Sequence, residues 1–230
     1  MTQDRDNFSE RILEIEKEIR SQLNMVERKT IVEWLEPNQG IDVSRSFLPK
    51  GITPFFPSDQ CYFEDSHLLL PSVLKERLAP EEFRPLVASA LLYETRVLKW
   101  IALVRAVLVV TLVLAVSAVF SAFSRLGPWG LVSMVTLSVI VGLPMLMLFP
   151  FCFRVGRLSA DKRVSRLIGT EDFLRTLEKI DSFRFPDIEK LKRSRLARAR
   201  SSVPSITQRI TVVRNAGAHG ASKVKTAHFQ

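Results

Sequence analysis

The centre of the chain contains two long stretches without a charged residue. No charge occurs in residues 106–124 or in residues 126–153, and Arg125 lies between the two stretches. A helix needs roughly 20 apolar residues to cross the hydrocarbon core of a bilayer, so each stretch is long enough. Gly127 and Pro128 interrupt the helical pattern and leave room only for a tight turn. The pattern predicts a transmembrane hairpin of two helices in residues 97–153.

Basic residues lie on both outer flanks of this hairpin. Three occur in residues 96–105 and four in residues 154–163, whereas the turn has Arg125 alone. Lysine and arginine near the ends of membrane helices favour the cytosolic side. We therefore expect a two-pass integral membrane protein whose N and C termini are both cytosolic.

Outside the hairpin, the pattern indicates amphipathic helices and short strands. Residues 8–27 place Ile12, Ile15 and Ile19 on one face of a predicted helix. That face can pack on the rest of the chain, on a second copy of itself or on another protein. Residues 30–34 and 60–63 are rich in β-branched or aromatic side chains, which predicts two or three strands joined by loops.

Helix start and stop signals locate the remaining elements. Pro80 opens a helix, and Pro85 means that either its first turn is separate or the helix bends. After the hairpin, residues 155–168 form a predicted helix that ends at Gly169, and Thr170 is predicted to cap the next one.

These elements predict a mostly helical α+β membrane protein with a small β element in its cytosolic part. The predicted segments are an N-terminal helix (1–28), strands and a helix (29–96), the hairpin (97–153), a helical part with a basic segment (154–210) and a disordered tail (211–230).

The chain is basic, with 33 Lys and Arg against 24 Asp and Glu, a formal net charge of +9. No aromatic residue interleaves its most basic run, so we expect no nucleic acid as a partner. Contact with the anionic headgroups of a lipid bilayer is the preferred interpretation, and a solvated helix is the alternative. The basic residues of this run are Lys190, Lys192, Arg193, Arg195, Arg198 and Arg200.

Four sequence blocks occur in an order typical of one peptidase family. The segment DSHLLL at residues 65–70 precedes LAPEEFRPLVASALLY at residues 78–93. After the hairpin come RLSAD at residues 157–161, a helix preceded by glycine at 169–180, and VPSITQRI at 203–210. In these blocks the chain resembles the HtpX-like and CAAX-prenyl-endopeptidase family of membrane zinc metallopeptidases. The resemblance implies a zincin-like cytosolic domain.

The residues that bind zinc in that family are replaced here. The family places His-Glu-x-x-His on one helix, where the imidazoles bind zinc and the glutamate activates water. The matching positions are Ser89, Ala90 and Tyr93, and the third ligand position holds Arg157, a permanent cation. Asp161 completes these vestigial positions. We therefore expect no intact catalytic residue, no bound zinc and no other cofactor.

The three histidines of the chain do not restore the motif. His67 stands alone, and His219 and His228 lie in the predicted tail. The leading hypothesis is therefore a catalytically inactive, membrane-anchored pseudopeptidase that serves as a scaffold or regulatory binding protein. One alternative is an active peptidase with nonstandard or borrowed ligands, and another is a small membrane anchor subunit unrelated to peptidases.

Arg157 has two alternative roles in this hypothesis. It can replace the metal by donating hydrogen bonds to Ser89, Tyr93, Glu94 or Asp161, because guanidinium offers five donors. It can instead extend towards lipid headgroups as a basic residue at the end of a membrane helix.

Overall fold

A computed structural model of the chain describes residues 2–36, 56–64, 66–100, 151–195 and 201–227, with isolated positions between 103 and 117 and at 198. Helices account for most of these residues, and the three strands among them form one sheet.

Helix α1 (Thr2–Gln22) opens the fold, and its apolar face is buried. Ile12, Ile15 and Ile19 are 0%, 3% and 1% exposed, so this face packs on the rest of the chain, the first of its three predicted alternatives. The helix ends earlier than predicted because Asn24 adopts a left-handed φ of 51°. The Met25 amide then donates to the Arg20 carbonyl at 2.9 Å, which is the hydrogen bond of a Schellman cap.

The three strands form a mixed sheet in the order β1-β3-β2. Strand β1 (Ile31–Leu35) pairs in parallel with β3 (His67–Pro71), and β2 (Tyr62–Glu64) pairs with β3 in the antiparallel direction. The first two strands lie close to their predicted positions. The central strand β3 was not located by the sequence pattern, because its run of leucines is buried on both faces and lacks alternation.

The segment after the sheet begins with a separate turn. A 3-10 turn at Pro80–Phe83 precedes helix α2 (Arg84–Leu92), which settles the alternatives for Pro85 in favour of a separate first turn. The backbone then continues as a π-helix at Tyr93–Leu98. A π-helical turn widens the backbone and is rare in proteins.

The described part of the C-terminal half includes four helices that pack on the core. Helix α3 covers residues 151–168 and ends at Gly169, whose φ of +119° is in the region that favours glycine. Gly169, and not Thr170, precedes α4 (Thr170–Ser182), so the predicted cap is one residue too late. Helix α5 (Pro186–Arg193) and helix α6 (Ile206–Ala227) complete the described chain.

The predicted disordered tail from residue 211 is wrong for the part of α6 that packs. Val213 and Ala216 are 0% and 3% exposed. Gly217 lies so close to α4 that a Cβ atom there would be 2.8 Å from Thr170 Cγ2. Ordinary helical packing therefore orders residues that composition alone indicates to be disordered.

One hydrophobic core joins the elements. It contains residues from α1, β3, α2 and each of the four C-terminal helices. Representative members are Ile12, Leu68, Leu86, Val164, Phe173, Ile188 and Val213.

The prediction of an integral membrane protein is corrected. The predicted spans fall almost entirely outside the described residues, and within the described part no helix is both long and apolar enough to cross a bilayer. Helix α1 has 21 residues, of which ten are charged, and α6 has 22 residues with four basic side chains. The membrane fold class and the two-pass localisation are therefore corrected, whereas the hairpin predicted in residues 97–153 lies almost entirely outside the described residues.

Candidate functional site

The vestigial positions of the resemblance meet where α2 and α3 pack together. Ser89 lies on α2, Tyr93 follows one turn later, and Arg157 and Asp161 lie one turn apart on α3. Residues four apart share a helix face, so each pair points towards the other helix. The Ser89 hydroxyl donates to Asp161 Oδ1 at 2.5 Å, and the Arg157 guanidinium carbon lies 5.1 Å from the centroid of the Tyr93 ring.

All four of these side chains are buried. Ser89 and Asp161 are 0% exposed, Arg157 is 2% exposed and Tyr93 is 8% exposed. Ala90 is also buried, at 1%, and belongs to the apolar core.

Arg209 on α6 binds the Asp161 carboxylate from the other side. Its Nε donates to Asp161 Oδ2 at 2.8 Å and its Nη2 to Asp161 Oδ1 at 3.2 Å, a bidentate pair. Its Nη1 donates to the backbone carbonyl of Asp59 at 2.5 Å and to Asp59 Oδ2 at 3.2 Å. Arg209 is 0% exposed, so this pair lies wholly inside the protein.

Burial and charge act in opposite directions on this network. Burial lowers the pKa of Arg209, but the Asp161 and Asp59 carboxylates outweigh burial and leave that pKa above its ordinary value. Burial raises the pKa of Asp59, and the Arg209 charge opposes the rise. Arg209 therefore stays fully charged and holds both carboxylates.

A buried loop crosses the cluster, and we define it as residues 56–61. Every residue of this loop is buried, although the loop has no regular secondary structure. Buried loops are rare because their backbone polar groups need partners. Here the Ser58 amide and hydroxyl donate to Asp187 at 2.8 and 2.9 Å, and Arg157 Nη2 donates to the Cys61 carbonyl at 2.7 Å.

Arg157 makes cation–π contacts with two aromatic rings. Its guanidinium carbon lies 5.2 Å from the Tyr62 ring centroid, in addition to the Tyr93 contact. Its Nε and Nη1 atoms are buried without a hydrogen-bond partner. Its hydrogen-bond acceptor is the Cys61 carbonyl, whereas the sequence predicts Ser89, Tyr93, Glu94 or Asp161.

Burial disfavours deprotonation of the neighbouring tyrosine and cysteine side chains. It raises the pKa of Tyr62 to about 12 and that of the Cys61 thiol to about 12. It also raises the pKa of Tyr93, although the Arg157 charge works against the rise. These groups are therefore neutral near pH 7.

The donor set does not fit zinc. Ser89 is a neutral hydroxyl that already donates to Asp161, and burial disfavours the Tyr93 phenolate that a metal would need. Arg157 brings a permanent positive charge to the third ligand position. Among the residues that the structure describes, no cluster of three His, Cys, Asp or Glu side chains could hold a metal ion.

The other residues singled out by sequence lie elsewhere. His67 is on β3, with its Nδ1 atom 2.7 Å from Glu33 Oε1. In the basic run, Lys192 pairs with Asp181 and Glu189, and Arg193 is 84% exposed on its side chain. His228 and Arg200 lie outside the described residues. Contact of this run with anionic lipid stays a prediction.

Sequence reasoning missed Arg209, Asp59 and Asp187. Arg209 falls in the quoted block at 203–210, but its polar neighbours Thr207 and Gln208 gave no sign that this arginine is buried. Asp59 and Asp187 gave no sign either, because acidic residues next to proline or serine are ordinary in loops and at helix starts.

Comparisons of the sequence with models of protein families and with curated proteins found no match, and a comparison of the structure with solved structures found none either. The resemblance to HtpX-like peptidases stays a prediction.

Proposed function

We propose that this chain is a non-catalytic relative of HtpX-like peptidases that serves as a scaffold or regulatory binding protein. The observation that carries the proposal is the convergence of Ser89, Tyr93, Arg157 and Asp161 in one buried cluster. These residues come from blocks about 70 positions apart in the chain, and the family resemblance predicts that they meet. Their chemistry is that of arginines holding polar groups, not of a metal activating water.

The hydrogen bonds of Ser89 and Asp161 support a non-catalytic role. A hydrolase needs a nucleophile or a general base that reaches the substrate. The Ser89 hydroxyl is instead fully buried and committed to Asp161, and both oxygens of Asp161 accept hydrogen bonds from Arg209. The cluster holds the fold together and offers no proton acceptor to a peptide bond.

The proposal is tested by assaying the purified chain with unfolded casein in the presence of zinc. We expect no cleavage, because the general base and the metal ligands are replaced. A second variant carries Ser89→His, Ala90→Glu, Tyr93→His and Arg157→Glu. It should gain zinc affinity if the scaffold is that of the peptidases.

A matched control carries Arg163→Glu, which makes the same charge reversal as Arg157→Glu at an exposed residue of α3. Zinc-dependent cleavage by the unmodified chain would establish the alternative of an active peptidase with nonstandard ligands. If the fourfold variant folds and binds no more zinc than the control, the relationship to peptidases is contradicted.

A further inference from the structure

Arg157 is a buried cation with most of its hydrogen-bonding capacity unused. A guanidinium carries five N–H donors. The structure shows one acceptor for them, the Cys61 carbonyl, while Nε and Nη1 have none. Buried donors without partners are rare, and each one is destabilising.

The nearby carboxylates make their hydrogen bonds to other groups, although the Arg157 charge acts to lower the pKa of Asp59. Asp161 is held in a bidentate pair by Arg209, which also binds Asp59. Asp187 accepts two hydrogen bonds from Ser58. No ion pair between described side chains includes Arg157, although buried charges in proteins are normally paired.

Two tyrosine rings lie beside the Arg157 guanidinium, whose carbon is 5.2 Å from the Tyr62 ring centroid and 5.1 Å from the Tyr93 ring centroid. A guanidinium has two edges with a pair of N–H donors each, one formed by Nε and Nη2 and the other by Nη1 and Nη2. The Cys61 carbonyl accepts from Nη2 and so occupies only one of these two edges. The other edge presents two parallel N–H groups, the pattern that a carboxylate accepts bidentately.

We infer that Arg157 is a binding site for a carboxylate group, held in the plane of the guanidinium between Tyr62 and Tyr93. A carboxylate supplies two acceptors for the N–H donors that have no partner, and it brings a smaller charge than phosphate. A doubly charged phosphate would leave surplus negative charge beside Asp59 and Asp161. The π-helix that begins at Tyr93 is a second sign of a functional position, since such turns often occur at ligand sites. The inference rests on the proposed function, because it names the ligand of a binding protein.

The two tyrosines that flank Arg157 are the only ones in the chain. Protein labelled with ring-¹³C tyrosine therefore gives NMR signals from this site alone. We expect sodium acetate, titrated at constant ionic strength against sodium chloride, to shift both tyrosine signals along one saturable curve. Arg157→Met should abolish the saturable shift, and Arg163→Met, on the exposed face of the same helix, should retain it.

Arg157→Lys provides a second variant that keeps the charge if Arg157→Met fails to fold. Because an ammonium group lacks the two parallel donors, we expect the dissociation constant for acetate to rise by a factor of roughly ten or more. The inference is overturned if acetate gives no saturable shift, if chloride gives the same curve, or if Arg157→Lys binds acetate as well as the wild-type chain does.

The same titration separates two sources of the carboxylate. A tripeptide with a free C terminus that binds more tightly than acetate, and loses binding when amidated, indicates the C terminus of a peptide partner. Acetate binding without a gain from the peptide indicates a small free carboxylate. Casein cleavage by the wild-type chain would contradict the proposed function without changing these NMR shifts, so the two failures are distinguishable.

Discussion

At the scale of single residues, buried arginines hold the polar groups of the cluster. Arg209 donates to two carboxylates and is fully buried, and Arg157 contacts two aromatic rings. Taking a charge out of water is costly, so such a pair contributes little net stability while it is intact. Removing one partner is far more damaging, because the carboxylate that remains is buried and unpaired.

Arg209→Met should therefore lower the free energy of unfolding by about 3 to 5 kcal/mol. Its matched control is Arg214→Met, on the same helix, where the arginine bonds to Glu178 at 3.0 Å with both side chains more than half exposed. That surface pair should contribute less than about 1 kcal/mol to the free energy of unfolding. Urea denaturation of the two variants measures the difference, and equal losses would show that Arg209 does not hold the buried carboxylates.

The tyrosines predict a loss of stability at alkaline pH. Burial raises the pKa of Tyr62 from 10.0 to about 12 and shifts that of Tyr93 in the same direction. Since the folded pKa is the higher one, the unfolded chain releases these protons first. Their stabilising contribution is complete below pH 10 and is lost as the pH rises through the folded values.

Absorbance of tyrosinate during a pH titration checks this directly. In folded protein the signal should rise at a pH about two units higher than in urea-unfolded protein, because burial raises the pKa of Tyr62 from 10.0 to about 12. Arg157→Met should delay it further, because the Arg157 charge lowers both pKa values. Titration of either ring near pH 10 in the folded chain would contradict its burial beside Arg157.

The candidate site was only partly predictable from residue types. Spacing placed Ser89 and Tyr93 on one face of a helix, and Arg157 and Asp161 on one face of another, which the structure shows. It could not say which arginine binds Asp161, because that depends on α6, an element 48 positions away from Asp161 along the chain. The contact of Arg157 with the Cys61 carbonyl could not be predicted either, since every residue has a backbone acceptor.

At the scale of elements, close packing decides where α6 can be ordered. Its contact with α4 is tight at Gly217, where a Cβ atom would meet Thr170 Cγ2 at 2.8 Å and Oγ1 at 3.2 Å. A small residue in the middle of a helix reads as a helix breaker in sequence, yet here it permits the approach of the neighbouring helix. The tail was predicted from residue 211 because the apolar pattern lapses after Ile210, and that pattern carries no information on this close approach.

Gly217→Ala should destabilise the protein, although alanine is the better helix former by about 1 kcal/mol. The added methyl group has to displace Thr170 or separate the two helices. The double variant Gly217→Ala with Thr170→Ala should recover stability, because the closest remaining atom, Thr170 Cβ, is 3.3 Å away. Thermal melts of the single and double variants test this, and stabilisation by Gly217→Ala alone would show that α6 does not pack here.

At the scale of the whole molecule, the buried loop 56–61 connects the N-terminal sheet to the C-terminal helices. It leads directly into β2, and charged residues on three helices hold it: Arg157 on α3, Asp187 on α5 and Arg209 on α6. These contacts join residues about 100 to 150 positions apart. Amphipathic periodicity reports which face of an element is buried, but it carries no information on such distant pairs.

The error in the predicted fold class arises at this same scale. Length and absence of charge were read as membrane spans in residues 106–153, and these positions fall almost wholly outside the described residues. The described helices carry too many charges or too few residues to cross a bilayer. A local hydropathy pattern gives the length of an apolar segment, but not what surrounds that segment in the folded protein.

The most direct test of the account is the zinc content of the purified full chain. The protein is equilibrated with zinc, passed through a desalting column and analysed by inductively coupled plasma mass spectrometry. We predict zinc far below one ion per chain. In the proposed relationship to HtpX-like peptidases, an arginine and neutral hydroxyls stand at the positions of the zinc ligands. One zinc ion per chain, lost on Tyr93→Phe and retained in Arg163→Ala, would contradict the account.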